Sequence, residues 1–299
     1  MSKQMKLEGA MVALVTPFAD GRVDFKALDR LVDWHLEQGT QALVPCGTTG
    51  ESPTLDYDEH DAVIERTCRR AAGRVPVIAG TGSNSTAEAV MLTKHAKDAG
   101  ADATLQVNPY YNKPTQAGCL RHIEEIDKIG LPIILYNIPS RTGVELTVET
   151  MVRAFSQFEN VVAVKEATGK LNVTTELARA CDITILSGDD NLTLPIMACG
   201  GRGVISVLGN ILPREIRILT DLCLAGDLAA ARQQHFKLYP LFAGVFVETN
   251  PIPIKAAMAM AGLIRDEIRL PMTPLSPQHR GPLAALLRQA GVTVEEVRV

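Results

Sequence analysis

Val161-Val162-Ala163-Val164-Lys165-Glu166-Ala167-Thr168-Gly169 runs four apolar residues into a lysine, an acid and a glycine-ended turn. Consecutive apolar, β-prone residues predict a strand covered on both faces, as strands of parallel sheets are. Outward from this stretch the same pattern recurs. Short apolar runs stand at Met11–Thr16, Ala42–Cys46, Val75–Gly80, Ala103–Val107, Pro132–Asn137, Ile183–Ser187 and Gly203–Val207, which with Val161–Lys165 makes eight. Between them, apolar residues fall at three- and four-residue spacing, as in Ala27, Leu28, Leu31, Val32 and Leu36, or in Ala87, Val90, Met91, Lys94 and Ala99, and predict helices. Gly39, Gly73, Gly100, Gly130 and Gly200 stand where helices need a left-handed end. Repeated βα units close as a barrel or lie open as a doubly wound sheet, and eight of them favour an α/β fold of the (β/α)8 TIM-barrel type. The barrel is expected over residues 1–226. A C-terminal helical extension follows over 227–299, with helical patterns near 227–247, 252–263 and 282–291 and a proline-rich separator at Pro271–Pro282.

Composition narrows the function. The chain has 299 residues, 46% hydrophobic and 21% charged, with a formal charge of -4. That balance belongs to a folded protein and offers no basic field for nucleic acid or an anionic membrane surface. The six cysteines are scattered without a Cys-x-x-Cys pair and read as core thiols of a reducing compartment. Met11–Val15 is too short for a signal sequence or a membrane span, so a cytoplasmic location is expected. The six histidines show no metal-binding spacing, and no metal is expected.

The unusual residues follow the carboxyl ends of the strands, and therefore share one face. Lys165 is foremost. A lysine carried into a low-dielectric cavity is disfavoured as a cation, and its neutral amine attacks a ketone to give an imine. The plain alternative is a lysine paired with Glu166 or another acid at a strand end. Gly47-Thr48-Thr49-Gly50-Glu51 can aim backbone amides and two hydroxyls at a small carboxylate, although glycine-rich turns are common in such folds. It matches neither nucleotide-binding glycine motif. Tyr110, Tyr111 and Tyr136 are three of five tyrosines. A phenol between hydroxyls can shuttle protons; aromatic packing is the alternative. Arg141, in a Pro-Ser-Arg-Thr-Gly turn, could take a carboxylate in two hydrogen bonds or pair with a loop acid. Convergence of these groups requires a closed barrel, because the ends of an open sheet would lie too far apart.

Taken together, G-T-T-G-E at 47–51, N-P-Y-Y-N-K-P at 108–114, Y-N-I-P-S-R-T-G at 136–143, V-K-E-A-T-G at 164–169 and S-G-D-D at 187–190 closely resemble the dihydrodipicolinate synthase family. So do G-A-M-V-A-L-V-T-P-F at 9–18, A-G-T-G-S-N-S-T-A-E-A at 79–89 and G-V-I-S-V at 203–207, all in family order. The resemblance implies a Schiff-base class I aldolase on a (β/α)8 barrel, of the N-acetylneuraminate lyase superfamily. Such an enzyme condenses pyruvate with L-aspartate 4-semialdehyde on the route to diaminopimelate and lysine. It implies Lys165 as the imine-forming residue and Tyr136, Thr48 and Tyr111 as a proton relay, the residue equivalent to Tyr111 coming from the neighbouring subunit. Thr49 would hold the pyruvate carboxylate and Arg141 the semialdehyde carboxylate, while Gly188 and Ile205 would line the pocket. No cofactor is implied beyond the covalent imine on Lys165.

The resemblance also implies a homotetramer built from two dimers, and an L-lysine effector site on Ser52, His60, Asn84, Glu88 and Tyr110, with Glu88 facing the ammonium. Pro53 and Tyr57 depart there from the pattern, standing where a small residue and a histidine are frequent. The rival within the superfamily is an N-acetylneuraminate lyase or related 2-keto-3-deoxy sugar acid aldolase, against which Thr49 and Arg141 speak. A non-catalytic keto-acid sensor would not need Lys165, Thr48, Tyr111 and Tyr136 together. A phosphate-sugar isomerase would want a phosphate nest where the acidic stretch Ser187–Asp190 stands.

Overall fold

In the computed structural model, which describes residues 5–294, eight parallel strands form the sheet. Residues 1–4 of the expected barrel segment and 295–299 of the extension lie outside the described residues. The strands are β1 (Gly9–Ala13), β2 (Ala42–Val44), β3 (Ile78–Gly80), β4 (Ala103–Val107), β5 (Ile133–Asn137), β6 (Val161–Glu166), β7 (Thr184–Ser187) and β8 (Gly203–Ser206). They pair in the order β2-β1-β8-β7-β6-β5-β4-β3. A parallel bridge between Leu43 and Val77, with Leu43 N–H donating to Pro76 O at 3.0 Å and Gly80 N–H to Pro45 O at 2.9 Å, joins the two ends and closes the (β/α)8 barrel.

Helices α1 (Phe25–Gln38), α2 (Tyr57–Ala71), α3 (Thr86–Asp98), α4 (Gln116–Asp127), the single-turn α5 (Pro139–Thr142), α6 (Val148–Gln157), α7 (Leu171–Ala180), α8 (Thr193–Ala198) and α9 (Pro213–Leu224) surround it. Their ends follow the sequence. Asp24 caps α1, whose last turn closes on Gly39 in the left-handed region, and Asp56 with Glu59 forms a capping box on α2. The extension comprises α10 (Leu228–Gly244), α11 (Ile252–Met260) and α12 (Pro277–Gln289). Its residues Leu238, Phe242, Ile254 and Leu283 share one buried cluster with Val12, Leu28 and Leu43 of the barrel. A second cluster, with Met11, Val44, Leu105, Tyr136, Leu186 and Ile205, includes the inward face of the strands.

Some expectations need correction. The first strand begins at Gly9 and ends at Ala13, not Met11–Thr16: Leu14 and Val15 are buried, but Val15 N–H donates to the Asn210 side chain at 3.1 Å, outside the ladder. The third starts at Ile78 rather than Val75, because Pro76 has no N–H to offer a ladder. The last helix starts at Pro277 instead of near 282, since proline at the first helical position gives up a hydrogen bond that would be absent anyway.

On α3 the buried face is Ala89, Leu92, Thr93 and Ala96, whereas Met91 is exposed. Apolar residues occur on several sides of this helix, and Thr93 is buried because Gln106 and Thr81 satisfy its hydroxyl at 2.9 Å each. The cysteines are free, but Cys199 is an exposed thiol at the end of α8 rather than a core one. No helix among the described residues is long and apolar enough to cross a membrane.

Candidate active site

Parallel pairing places Tyr136 of β5 directly opposite Lys165 of β6, so both side chains emerge on the same side of the sheet. Lys165 is 5% exposed, and its Nζ stands 4.2 Å from the centre of the Tyr136 ring. Among the described residues it makes no ion pair. Glu166 is not its partner, because adjacent strand residues face opposite ways. The Glu166 carboxylate instead accepts from Thr168 N–H at 2.7 Å and the Asn137 amide at 3.5 Å, and burial pushes its pKa above the ordinary carboxylate value.

Room for the lysine arm comes from Gly188. A Cβ on this residue would stand 2.6 Å from Ala167 Cβ and 3.2 Å from Lys165 Cε. Next to it, Asp189 is shifted up by burial, with the Lys165 charge opposing the shift. Asp190 is raised by burial too, against the pull of the Ser206 hydroxyl and the amides of Leu208 and Val207, at 3.0 and 2.9 Å. These bonds tie the end of β7 to that of β8, where Ile205 is wholly buried against the inner cluster.

The turn after β2 folds on itself. Gly50 N–H donates to Gly47 O and Glu51 N–H to Thr48 O, both at 3.1 Å. The amides of Thr48 and Thr49 donate to no protein acceptor among the described residues, which leaves them available to an anion. Glu51, in the left-handed region at φ 56°, anchors the turn from below: its carboxylate accepts from Lys255 Nζ of α11 and, at 3.1 Å, from Arg269 N–H. Asn250, between α10 and α11, reaches the same turn, its Nδ2 donating to Thr49 Oγ1 at 3.0 Å. The Asn250 carbonyl accepts from Arg141 Nη2 at 3.0 Å. Sequence reading passed over Asn250 and Lys255 as parts of a site, and gave Glu51 no role of its own within the turn. The first two stand in the extension without any local motif, although a charged residue on the apolar face of α11 was a usable signal for Lys255.

A cavity of about 550 Å³ brings together Thr48, Tyr136 and Arg141 with Ser52, His60, Glu88 and Tyr110. Asn84 is half-buried outside its lining, with its carbonyl accepting from Asn112 Nδ2 at 2.9 Å. His60 Nε2 faces Gly80 O at 2.9 Å, and the Glu88 carboxylate accepts from Tyr57 Oη at 2.8 Å and from Ser83 Oγ. Lys165, Thr49 and Ile205, all buried, and Gly188, half-buried, lie outside this lining, Lys165 against the Tyr136 ring and Thr49 beside Thr48. Tyr111 is also outside it: it is 90% exposed, at φ 70°, and no hydrogen bond links the hydroxyls of Thr48, Tyr111 and Tyr136. No cluster of three metal-ligating side chains occurs among the described residues.

An amine buried at the strand ends of a closed barrel, beside a phenol and an anion-ready turn, is suited to carbonyl chemistry, and the class so defined is that of the lysine-dependent aldolases. Comparison with known proteins narrows it. Residues 6–290 match the model of the Dihydrodipicolinate synthetase family, and the chain belongs to that family. It is 51% identical over 288 residues to the 4-hydroxy-tetrahydrodipicolinate synthase of Thermodesulfovibrio yellowstonii, covering 95% of this chain and 99% of the relative. The crystal structure of the dihydrodipicolinate synthase of Aquifex aeolicus superposes with a TM-score of 0.96 at 49% identity, over 97% of this chain and 100% of that one. A dihydrodipicolinate synthase from Cyanidioschyzon merolae with lysine bound superposes at 0.93 and 39% identity, over 95% and 98% of the two chains.

Proposed function

We propose that this chain is a lyase that condenses pyruvate with L-aspartate 4-semialdehyde to 4-hydroxy-tetrahydrodipicolinate through an imine on Lys165. The observation that carries the reading is a buried lysine with no carboxylate ion-pair partner among the described residues, packed on the Tyr136 ring. The amides and hydroxyls of Thr48 and Thr49 receive the pyruvate carboxylate, and the Lys165 amine attacks the keto carbon and expels water. The cationic imine acidifies the neighbouring methyl group, whose proton leaves through the relay of Tyr136, Thr48 and Tyr111. The resulting enamine attacks the aldehyde carbon while the aldehyde oxygen gains a proton. Arg141 holds the far carboxylate, and Gly188 and Ile205 shape the pocket around the imine. The amine of the second substrate then attacks the imine carbon, closes the ring and releases Lys165. The imine nitrogen is the electron sink, so the reaction needs no added cofactor.

An exposed Tyr111 in a relay asks for a covering surface, which a second copy of the chain supplies; the assembly we propose is a dimer or a tetramer of two dimers, in the cytoplasm. L-lysine is the proposed effector, bound near Ser52, His60, Asn84, Glu88 and Tyr110. Activity flat up to millimolar L-lysine would reject it.

The test of the reaction is twofold. Borohydride with pyruvate is expected to fix a three-carbon adduct on the wild type and none on Lys165→Ala; an unchanged adduct in the variant sinks the assignment. Coupled to a dihydrodipicolinate reductase, the protein should turn over pyruvate with the semialdehyde, but not N-acetylneuraminate or 2-keto-3-deoxy sugar acids.

A further inference from the structure

Thr49 Oγ1 has one proton to give, and whichever neighbour bonds to it decides where that proton points. The neighbour is Asn250, 4% exposed, whose Nδ2 donates to Thr49 Oγ1 at 3.0 Å. With a lone pair of the oxygen occupied, the Thr49 O–H is left to donate elsewhere, and the adjacent amides of Thr48 and Thr49 are also without a protein acceptor. Asn250 Oδ1 has no donor among the described residues, so the side chain serves this turn through its nitrogen. The Asn250 carbonyl simultaneously accepts from Arg141 Nη2 at 3.0 Å. A single residue of the extension thus touches the two side chains assigned to the two substrate carboxylates.

We propose that Asn250 is a positioning residue that fixes Thr49 as a hydrogen-bond donor toward the keto-acid carboxylate. This rests on the reading of Thr49 given above. Aspartate is nearly the same shape as asparagine but reverses the bond: its carboxylate accepts the Thr49 proton, turns the hydroxyl lone pairs to the substrate and adds a negative charge. Alanine removes the donor without reversing anything. Asn250→Asp should therefore be worse than Asn250→Ala, an order that loss of packing alone does not give.

The experiment measures the pyruvate concentration giving half-maximal borohydride-trapped adduct, by mass spectrometry, in full-length wild type, Thr49→Val, Asn250→Ala, Asn250→Asp and Asn250→Ala/Thr49→Val. Circular dichroism confirms folding. A hydrogen bond to a charged group sets the expected scale, so Thr49→Val and Asn250→Asp should each raise half-saturation about tenfold or more, with Asn250→Ala between them and the wild type. In Asn250→Ala/Thr49→Val the alanine should add less than about twofold to Thr49→Val, because the lost donor acts only through the missing hydroxyl, whereas the aspartate charge also acts on the carboxylate directly. Asn250→Asp within about twofold of wild type, or Asn250→Ala multiplying the Thr49→Val defect in full, overturns the inference while leaving the Thr49 assignment intact. An unaffected Thr49→Val overturns that assignment and the inference with it. If Asn250→Asp does not fold, Asn250→Ala alone and with Thr49→Val carries the same comparison.

Discussion

Replacing Lys255 by methionine keeps most of the apolar stem of a side chain that is 1% exposed but removes its charge. In the native protein its Nζ donates to Thr16 O at 3.0 Å and to the Glu51 carboxylate, and lies 4.2 Å from the Phe18 ring centre. Desolvation drives the Lys255 pKa down, so the ammonium is held there chiefly by Glu51. In Lys255→Met, Glu51 at 4% exposure keeps the Arg269 amide but loses its counter-charge, and Thr16 O loses a donor. Breaking one side of a buried pair costs about 3–5 kcal/mol, well above the roughly 0–1 kcal/mol of an exposed pair. The companion change Glu51→Gln removes the stranded charge, and the double variant Glu51→Gln/Lys255→Met should recover to within about 1–2 kcal/mol of the wild type, because the desolvation cost of both ions disappears. Equilibrium urea unfolding at one protein concentration measures all four members of the cycle. A Lys255→Met loss under about 1 kcal/mol, or a double variant as unstable as the two single losses summed, would show that no coupled buried pair anchors the Gly47–Glu51 turn.

Gly188→Ala would place a methyl 2.6 Å from Ala167 and 3.2 Å from the Lys165 arm. Overpacking costs about 1–3 kcal/mol, and the rate of adduct formation at saturating pyruvate should fall about tenfold or more; an unchanged rate refutes the close fit. Arg141→Ala should raise the half-saturating concentration of semialdehyde by about 10- to 100-fold while trapping with pyruvate alone stays as in the wild type; a trapping defect would place Arg141 on the first substrate instead. His35 and His122 are neutral in the folded protein, burial holding them down to about 3 and about 4. The unfolded chain binds protons on both below about pH 6.5, so their contribution is complete above that pH and is lost on descending toward the folded values. Between pH 7 and 5 each should cost about 2 kcal/mol of stability, and His122→Gln should flatten the acid limb of a urea midpoint–pH profile by about half of the combined effect. An unchanged slope would mean that His122 is protonated in the native state.

Lys165, Tyr136, Thr48 and Arg141 were legible because each is written beside the strand that carries it. A run such as Val161–Val164 specifies a covered strand, and parallel pairing then sets Tyr136 opposite Lys165 with no further information needed. Strand limits were less legible where burial and strand pairing part company, as at Val15, a core residue whose N–H goes to the Asn210 side chain instead of a neighbouring strand. The buried side of α3 was illegible for a different reason: Thr93 reads as polar until Gln106 and Thr81, on other elements, satisfy it.

The same distinction separates the groups that sequence reading reached around the carboxylate turn from those it did not. Thr48 and Thr49 announce themselves by the turn they stand in. Asn250 and Lys255 lie in the extension, and reach Thr49 and Glu51 across 201 and 204 residues of chain. No period or motif encodes a contact over that distance. A barrel gathers strand-end residues by its geometry alone, but the polar contacts that brace their loops depend on where a later segment docks. The α10–α11 connection delivers an amide to Thr49, a carbonyl to Arg141 and, one helical turn on, an ammonium to Glu51. Truncating the chain after α9 would therefore take away more than a cover: it would strip both proposed carboxylate sites of their bracing and open the buried cluster in which Leu238, Phe242 and Leu283 meet Val12, Leu28 and Leu43.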